Sequence, residues 1–345
     1  MHILFATSQA TALTRGGVRT QVLQTKEALE NLGVHVTLFD TWQNFQANEF
    51  DLVHVFAANM ATYHFARAVK TQGLPLVISP VFYTRRTANV VQNVIKVDKL
   101  ISRKVRGIWT DYGLIAEMCS WAEVITPNTT EEGKLFVDAF RIPKKNVIVI
   151  PNGVEERFAH AKPGLFEREY GIKNFILSVG HIGPERKNYL RLIEALERID
   201  HPAVIIGRIE DTPSGRACLE RASRNPRLLM VDAIPHDSML LASAYAACDV
   251  FVLTSQFETP GIAALEASLA GAKIVITSVG GTRDYFGNDA IYVEPESIES
   301  IREGIQIALK NKKENVLQTK IKKEFLWEKV GEKTKQVYNT ILGSS

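Results

Sequence analysis

The stretch DVFVLTSQFETPGIAALEASLAGAKIVITS, residues 249–278, reads as strand, loop, helix, strand. DVFVLT (249–254) and KIVITS (273–278) are short apolar runs rich in β-branched residues, the composition of strands buried on both faces. From Gly261 to about Ala270 the chain is apolar almost all round, and Thr259-Pro260 suits the N-cap and first turn of a helix. Two strands joined through a helix by short loops form a parallel pair with a right-handed crossover. One residue is out of place. Glu266 sits inside the apolar helix, and an unpaired buried carboxylate is strongly unfavourable, so it must meet hydrogen-bond donors. Ligand hydroxyls such as those of a ribose would serve, and so would a neighbouring loop that Glu266 caps. Glu258 lies just outside the helix, beside the amides of Gly261 and Ile262, where it meets either a polar ligand or solvent.

The same alternation extends outward in both directions. HILFAT (2–7), a helix at roughly 17–32, VHVTLFD (34–40), DLVHVF (51–56), a helix near 60–72, LPLVIS (74–79), AEVITP (122–127) and NVIVIP (146–151) make a first half. NFILSVG (174–180), a helix from 188 to about 199, AVIIG (203–207), RLLMVD (227–232), the opening stretch and AIYVE (290–294) make a second. The expected fold is α/β, two successive doubly wound parallel sheets with a hinge near Pro151-Asn152-Gly153. Ligands of such sheets bind at the carboxyl ends of the strands.

Whole-chain properties agree with that reading. At 345 residues the chain is long for one core, and 46% hydrophobic with 23% charged residues is a globular composition. The net charge of 41 − 38 = +3 is too small to make nucleic acid the main partner. Cys119, Cys218 and Cys248 are odd in number and scattered, which fits neither a disulfide framework nor a metal knuckle and suggests a reducing compartment. MHILFATS reads as a first strand and not a secretory leader, and no run is long and apolar enough to span a bilayer.

Two further loops could hold an anion. Arg15-Gly16-Gly17 precedes the first long helix, where paired glycines let backbone N–H groups approach a negative charge, although a plain flexible loop would look the same. No G-x-G-x-x-G follows the first strand, which argues against a nicotinamide or flavin dehydrogenase. In SVGHIGPERKNYLRLIEAL, Arg186-Lys187 stands at the expected start of a helix, where the dipole disfavours cations. A diphosphate lying there would explain the pair; so would two solvated charges.

Taken together these segments resemble the retaining glycosyltransferases of family 4, also called glycosyltransferase group 1. The resemblance runs over nearly the whole chain. It rests on RGGVRTQVLQTKEALENLGVHVT, VIPNGVEERF (149–158), GHIGPERKNYLRLIEAL (180–196), ACDVFVLTSQFETPGIAALEASLAGAKIVITSVGGTRDYFG (247–287) and FLWEKVGEKTKQVY (325–338). It implies a GT-B fold: a Rossmann-like acceptor-binding domain at 1–152, a Rossmann-like nucleotide-sugar domain at 153–325 facing it across a cleft, and a closing helix at 326–342 returning to the first domain. It implies that Glu266 holds the nucleotide ribose, and that Glu258 with the amides of Gly261, Ile262 and Ala263 holds the donor sugar and its phosphates. Lys187 and Arg186 would neutralise the departing diphosphate, Gly16 and Gly17 would line the site from the first domain, and Gly207-Arg208 with 231–235 would form the base pocket.

Two departures stand out. Relatives often have Arg directly after the glycine equivalent to Gly180, whereas this chain has His181 and a loop to Lys187 one residue longer, so His181 joins the donor-site candidates. Relatives also often carry a His after the strand equivalent to LPLVIS, but here Ser79-Pro80-Val81-Phe82-Tyr83 follows, leaving His54 as either a structural residue or a substitute.

The expected activity is transfer of a hexose (mannose, glucose or an N-acetylhexosamine) from a nucleoside-diphosphate sugar to an acceptor hydroxyl with retention at the anomeric carbon. No D-x-D occurs, so the expectation includes neither metal nor other cofactor. Cell-surface polysaccharide, glycolipid or glycoprotein assembly is the expected setting, with the acceptor a saccharide, a lipid-linked or a protein-linked chain. The alternatives are a pseudo-enzyme acting as a partner subunit and a sugar-nucleotide epimerase. Between Arg85 and Asp111, seven cations (Arg85, Arg86, Lys96, Lys99, Arg103, Lys104, Arg106) interleave with Val91, Val94, Ile95, Leu100, Ile101 and Val105. Such a basic amphipathic segment, 85–106, suits peripheral contact with an anionic membrane, or else is a solvated surface helix. The expected location is cytoplasmic, including the inner face of the plasma membrane.

Overall fold

The computed structural model of the chain describes residues 1–13, 16–102, 105, 107 and 109–343. It divides into two compact units, Met1–Gly153 with Trp327–Ser345, and Val154–Leu326. The opening stretch decides the fold as its pattern requires: β9 (Val250–Leu253) and β10 (Lys273–Thr277) are parallel neighbours, joined through helix Ile262–Leu269.

In the first unit the strands are β1 (His2–Ala6), β2 (His35–Leu38), β3 (Leu52–Phe56), β4 (Leu76–Ser79) and β5 (Val124–Ile125), all parallel, in the order β2-β1-β3-β4-β5. The order reverses direction between β1 and β3. Segment 146–151 was expected as a sixth strand and is not one. It runs beside β5, with Ile148 N–H donating to Ile125 O and Ile150 N–H to Pro127 O, and leaves a single bridge at Val147. Pro127 has no N–H to return the bond, so the ladder stops there.

Helix Trp327–Leu342 belongs to this unit and packs on helix Gly17–Asn31. The approach is close because Gly331 has no side chain: a Cβ there would lie 2.9 Å from the Ala28 methyl. Lys335 Nζ donates to Leu32 O at 2.7 Å, tying the two helices at the end of the second.

The second unit adds β6 (Ile176–Val179), β7 (Ala203–Ile206), β8 (Leu228–Val231) and β11 (Ile291–Val293) to β9 and β10, in the order β11-β10-β9-β6-β7-β8. All pairs are parallel. This is the doubly wound dinucleotide-fold order, with its topological switch point between β6 and β9. A layer of apolar side chains on each face of the sheet, Phe175, Leu177 and Phe251 on one and Ile193, Ile205 and Val252 on the other, buries it fully. The expected architecture of two Rossmann-like parallel sheets is therefore present. The three cysteines are free and buried.

Candidate functional site

The loops that follow β6 and β9 meet at the switch point. After β6 the helix begins near residue 188, as expected, with Arg186 and Lys187 in the turn just before it. Glu185–Lys187 forms a single 3-10 turn, and Asn188, left-handed at φ 59°, starts helix Tyr189–Leu196. Asparagine tolerates that conformation because its short side chain can bond locally. Here the Asn188 amide donates to Thr254 O at 2.9 Å and to Pro295 O at 2.6 Å. The buried amide thereby staples the cationic turn to the ends of β9 and β11. Gln256 N–H donates to Arg186 O at 2.8 Å, a second staple.

Glu258 lies against this turn. Lys187 Nζ is 2.7 Å from its Oε1, and Arg186 Nη1 is 3.7 Å away. Arg186 also donates to Phe257 O at 3.2 Å and stacks over the Phe257 ring at 5.0 Å. Burial pushes the Glu258 carboxyl up, but the charges of Lys187 and Arg186 outweigh it and hold the group below the ordinary carboxylate range. Its backbone is clamped as well, with Glu258 N–H donating to Val279 O at 3.1 Å and Gly281 N–H to Glu258 O at 3.0 Å. Gly280 makes that clamp possible, because at φ 100° a Cβ would fall 2.1 Å from Glu258 O.

The helix after Glu258 differs at its start from the expected Thr259-Pro260 cap. Gly261, left-handed at φ 70°, is the N-cap, and no side chain caps the helix. Leu253 and Ile276 stand 3.2 Å from where a Gly261 Cβ would be, so the turn must close on a bare backbone. Opening amides of a helix have no intrahelical acceptor, so those of Ile262 and Ala263 are suited to an anion. The dipole of helix Ile262–Leu269 adds partial positive charge at that end.

Glu266 is buried on this helix, and its partner is one the sequence reading missed. His236, in the loop after β8, brings Nε2 to 2.6 Å from Glu266 Oε1. The hydrogen bond to Glu266, aided by the charges of Glu266 and Glu155, raises the imidazole pKa although burial and Arg157 oppose it. A lone His after a strand carries no pattern of its own. Its position one residue beyond the expected base pocket at 231–235 was the available signal.

The remaining candidates fall as follows. Gly207 follows β7, and a Cβ there would lie 1.8 Å from Gly180 O, so the two loop backbones approach as only glycine allows. Arg208 and His181 are exposed at the same end of the sheet, where Ile182 N–H donates to Arg208 O at 2.9 Å. Gly16 and Gly17 lie in the first unit, where Gly16 is the N-cap of helix Gly17–Asn31. Arg15 lies outside the described residues, as do Arg103, Lys104 and Arg106 of the basic segment.

In the first unit, the place where a His was expected is built differently. Val81 is left-handed at φ 48°, a strained conformation for a β-branched residue. Glu132, buried at the start of helix Thr130–Asp138, holds that bend: its carboxylate accepts from Phe82 N–H and from Asn128 N–H, each at 2.7 Å. Burial raises Glu132 to about 7 against those two bonds. His54 is not a substitute. It is buried between the Tyr338 hydroxyl at 2.6 Å and the Ser79 hydroxyl at 2.9 Å, and burial lowers its pKa to about 3.

Comparisons with known proteins bear on the second unit most directly. Residues 166–324 match the family described as glycosyl transferases group 1. D-inositol 3-phosphate glycosyltransferase of Geodermatophilus obscurus is 31% identical over 179 residues, 47% of this chain and 39% of that protein. An Escherichia coli UDP-Gal:alpha-D-GlcNAc-diphosphoundecaprenol alpha-1,3-galactosyltransferase is 26% identical over 282 residues, 76% of this chain and 67% of that one. The chain spans 39%, 55% and 40% of the length of three of the curated relatives it matches. Among solved structures, Anabaena HepE in complex with UDP superposes with a TM-score of 0.75 at 15% identity, over 99% of this chain and 100% of that one. This last likeness is one of fold, and it agrees with the GT-B expectation of two parallel-sheet α/β domains. Over residues 166–324, the second unit matches the glycosyl transferases group 1 family.

Proposed function

We propose that the chain is a glycosyltransferase that binds a nucleoside-diphosphate sugar on its second unit and transfers the sugar to an acceptor hydroxyl with retention. The observation that carries this reading is the Lys187–Glu258 pair at the switch point of a group 1 domain, beside the opening amides of helix Ile262–Leu269. Lys187 and Arg186 supply positive charge where a diphosphate would leave, so the reaction is assigned neither metal nor cofactor. In the proposed step the bond from the anomeric carbon to the phosphate oxygen breaks as the acceptor oxygen bonds to the same face. The acceptor proton passes to the departing phosphate oxygen. Glu258 sets the position of Lys187 and holds the sugar; Glu266 holds the ribose.

HepE was solved with UDP, which makes uridine nucleotides the first donors to try, followed by GDP and ADP forms. A thermal-shift panel of nucleotides and nucleotide sugars tests the reading, because a ligand of the native state stabilises it by mass action. At least one donor should raise the melting temperature, and Glu266→Ala should weaken that effect more than it lowers turnover. A chain that no nucleotide sugar stabilises is not this enzyme.

The acceptor is assigned to the lipid-linked class used in cell-surface glycan assembly, at the cytoplasmic face of a membrane. Helix Ala88–Ser102 supports this: Val91, Ile95 and Asp98 turn inward, while Arg85, Arg86, Lys96, Lys99, Val97, Leu100 and Ile101 are exposed. The one acid in the helix is thus withdrawn, its carboxylate accepting from Thr110 N–H at 2.9 Å, and the outer face is basic and apolar. No helix among the described residues is long and apolar enough to cross a membrane.

A further inference from the structure

Among the charged residues of the motif VIPNGVEERF to which the proposed reaction gives no task are Glu155 and Arg157. Both converge on His236. Arg157 Nε donates to Glu155 Oε2 at 2.9 Å, and its Nη2 donates to His236 O at 2.5 Å. The same Glu155 oxygen stands 3.8 Å from His236 Nδ1, while His236 Nε2 lies 2.6 Å from Glu266 Oε1. One imidazole is therefore flanked by two carboxylates, one nearly buried on a helix and one fixed by an arginine. The side chain of His236 is itself about half exposed, at 47%.

We propose that His236 is a positioning residue for Glu266, and that its imidazolium form makes donor binding proton-dependent. This rests on the reading of Glu266 as the ribose-binding carboxylate. His236 takes one oxygen of the Glu266 carboxylate at 2.6 Å, which fixes the orientation of the group that is to meet ribose hydroxyls. The imidazolium also offsets the Glu266 charge, which would otherwise oppose the approach of an anionic diphosphate. When the proton is lost, His236 offers Glu266 at most a neutral N–H, and the Glu266 charge is no longer offset.

The charged groups bearing on His236 come from every side. Glu155 and Arg157 face it from segment 155–157, and Glu266 faces it from helix Ile262–Leu269. Tyr245, on helix Met239–Ala247, is held neutral by burial and by the Glu266 charge. The partners raise the imidazole above its ordinary 6.5, so the charged form persists to higher pH than in a free imidazole and is lost as pH rises through that elevated value. Donor affinity should fall as pH rises through that elevated value.

Calorimetric titration tests this directly. UDP, GDP and ADP are titrated into wild type at pH 7; if none binds, the donor-site reading fails whatever His236 does. With the nucleotide that binds, wild-type affinity should fall about tenfold as His236 loses its proton, the effect expected for a hydrogen bond to a charged group. His236→Gln, which still donates an N–H, should bind with an affinity that does not vary over the same range. His236→Ala should bind about tenfold more weakly than wild type on the acid side of the wild-type fall and also without that variation. Glu155→Gln should keep the affinity at low pH and move the fall to lower pH, because one of the two carboxylates that favour the imidazolium is gone. The inference is overturned if wild type and His236→Gln share one pH profile, or if His236→Ala binds within about twofold of wild type.

Discussion

The Lys187 ammonium stands 2.7 Å from the Glu258 carboxylate, although 71 positions separate the two residues in the chain. Neither loop is long enough to wander, since Asn188, Gln256 and Gly280 fix both backbones around the pair. Removing one partner leaves the other charge poorly compensated. Lys187→Ala should therefore destabilise the second unit by about 2–3 kcal/mol, reduced by the nearby Arg186, and should lower turnover by at least about 100-fold. The double variant Lys187→Ala with Glu258→Gln should recover most of the stability and none of the activity. Denaturant unfolding read beside the assay separates the two effects.

Acid should undo the same pair. The Glu258 carboxyl is held below its ordinary 4.5, so its ion pair contributes stability above that pH and loses it as pH falls through the depressed value. Glu258→Gln should flatten this part of the acid-unfolding curve, which circular dichroism follows.

Gly280 predicts a test of the clamp that leaves the charges untouched. A Cβ at this position meets the Glu258 carbonyl at 2.1 Å on a left-handed backbone, so Gly280→Ala must displace the Glu258 loop. The expected cost is about 1–3 kcal/mol of stability, with a large loss of turnover, measured by melting and by donor consumption. Wild-type turnover in this variant would show that the loop has no role in catalysis.

His54 makes the first unit sensitive to mild acid. The buried imidazole is neutral in the fold, with its pKa lowered to about 3, while the unfolded chain takes up a proton near 6.5. Stability is therefore fully present above about 6.5 and declines as pH drops toward 3, by on the order of several kcal/mol. Unfolding free energies measured between pH 7 and 4 should show the slope, and His54→Gln should reduce it.

The exposed basic face of helix Ala88–Ser102 should bind anionic vesicles. Co-sedimentation with phosphatidylserine-containing liposomes should be strong at low salt and weak at high salt, because screening removes the electrostatic share. Lys96→Glu with Lys99→Glu should abolish it and leave nucleotide binding unchanged. Retention of those variants on vesicles would assign the face to ordinary solvent exposure.

Much of the fold was legible because parallel sheets announce themselves in apolar runs, and eleven such runs became strands. The failure at 146–151 has a local cause, a proline opposite that cannot donate. Within the site, Glu266 and Lys187 were legible as charges in places where a core or a helix terminus would not accept them unpaired. The cap at Gly261 was misread because Thr259-Pro260 satisfies the usual preferences, while the close approach of Leu253 and Ile276, invisible in one dimension, demands a bare left-handed residue. His236 was missed for a related reason. Its meaning lies in the two carboxylates beside it, which come from segments 81 residues earlier and 30 residues later, and no spacing rule connects them.

The central claim is that Lys187 and Glu258 form the leaving-group side of a nucleotide-sugar transferase. The most direct measurement is release of nucleoside diphosphate from a panel of nucleotide sugars, with wild type and Lys187→Ala compared under identical conditions. Wild type should cleave at least one donor, slowly onto water and faster when acceptor is present, and Lys187→Ala should retain about 1% of that rate or less. Equal rates in the two proteins, or no release from any nucleotide sugar by wild type, would contradict it.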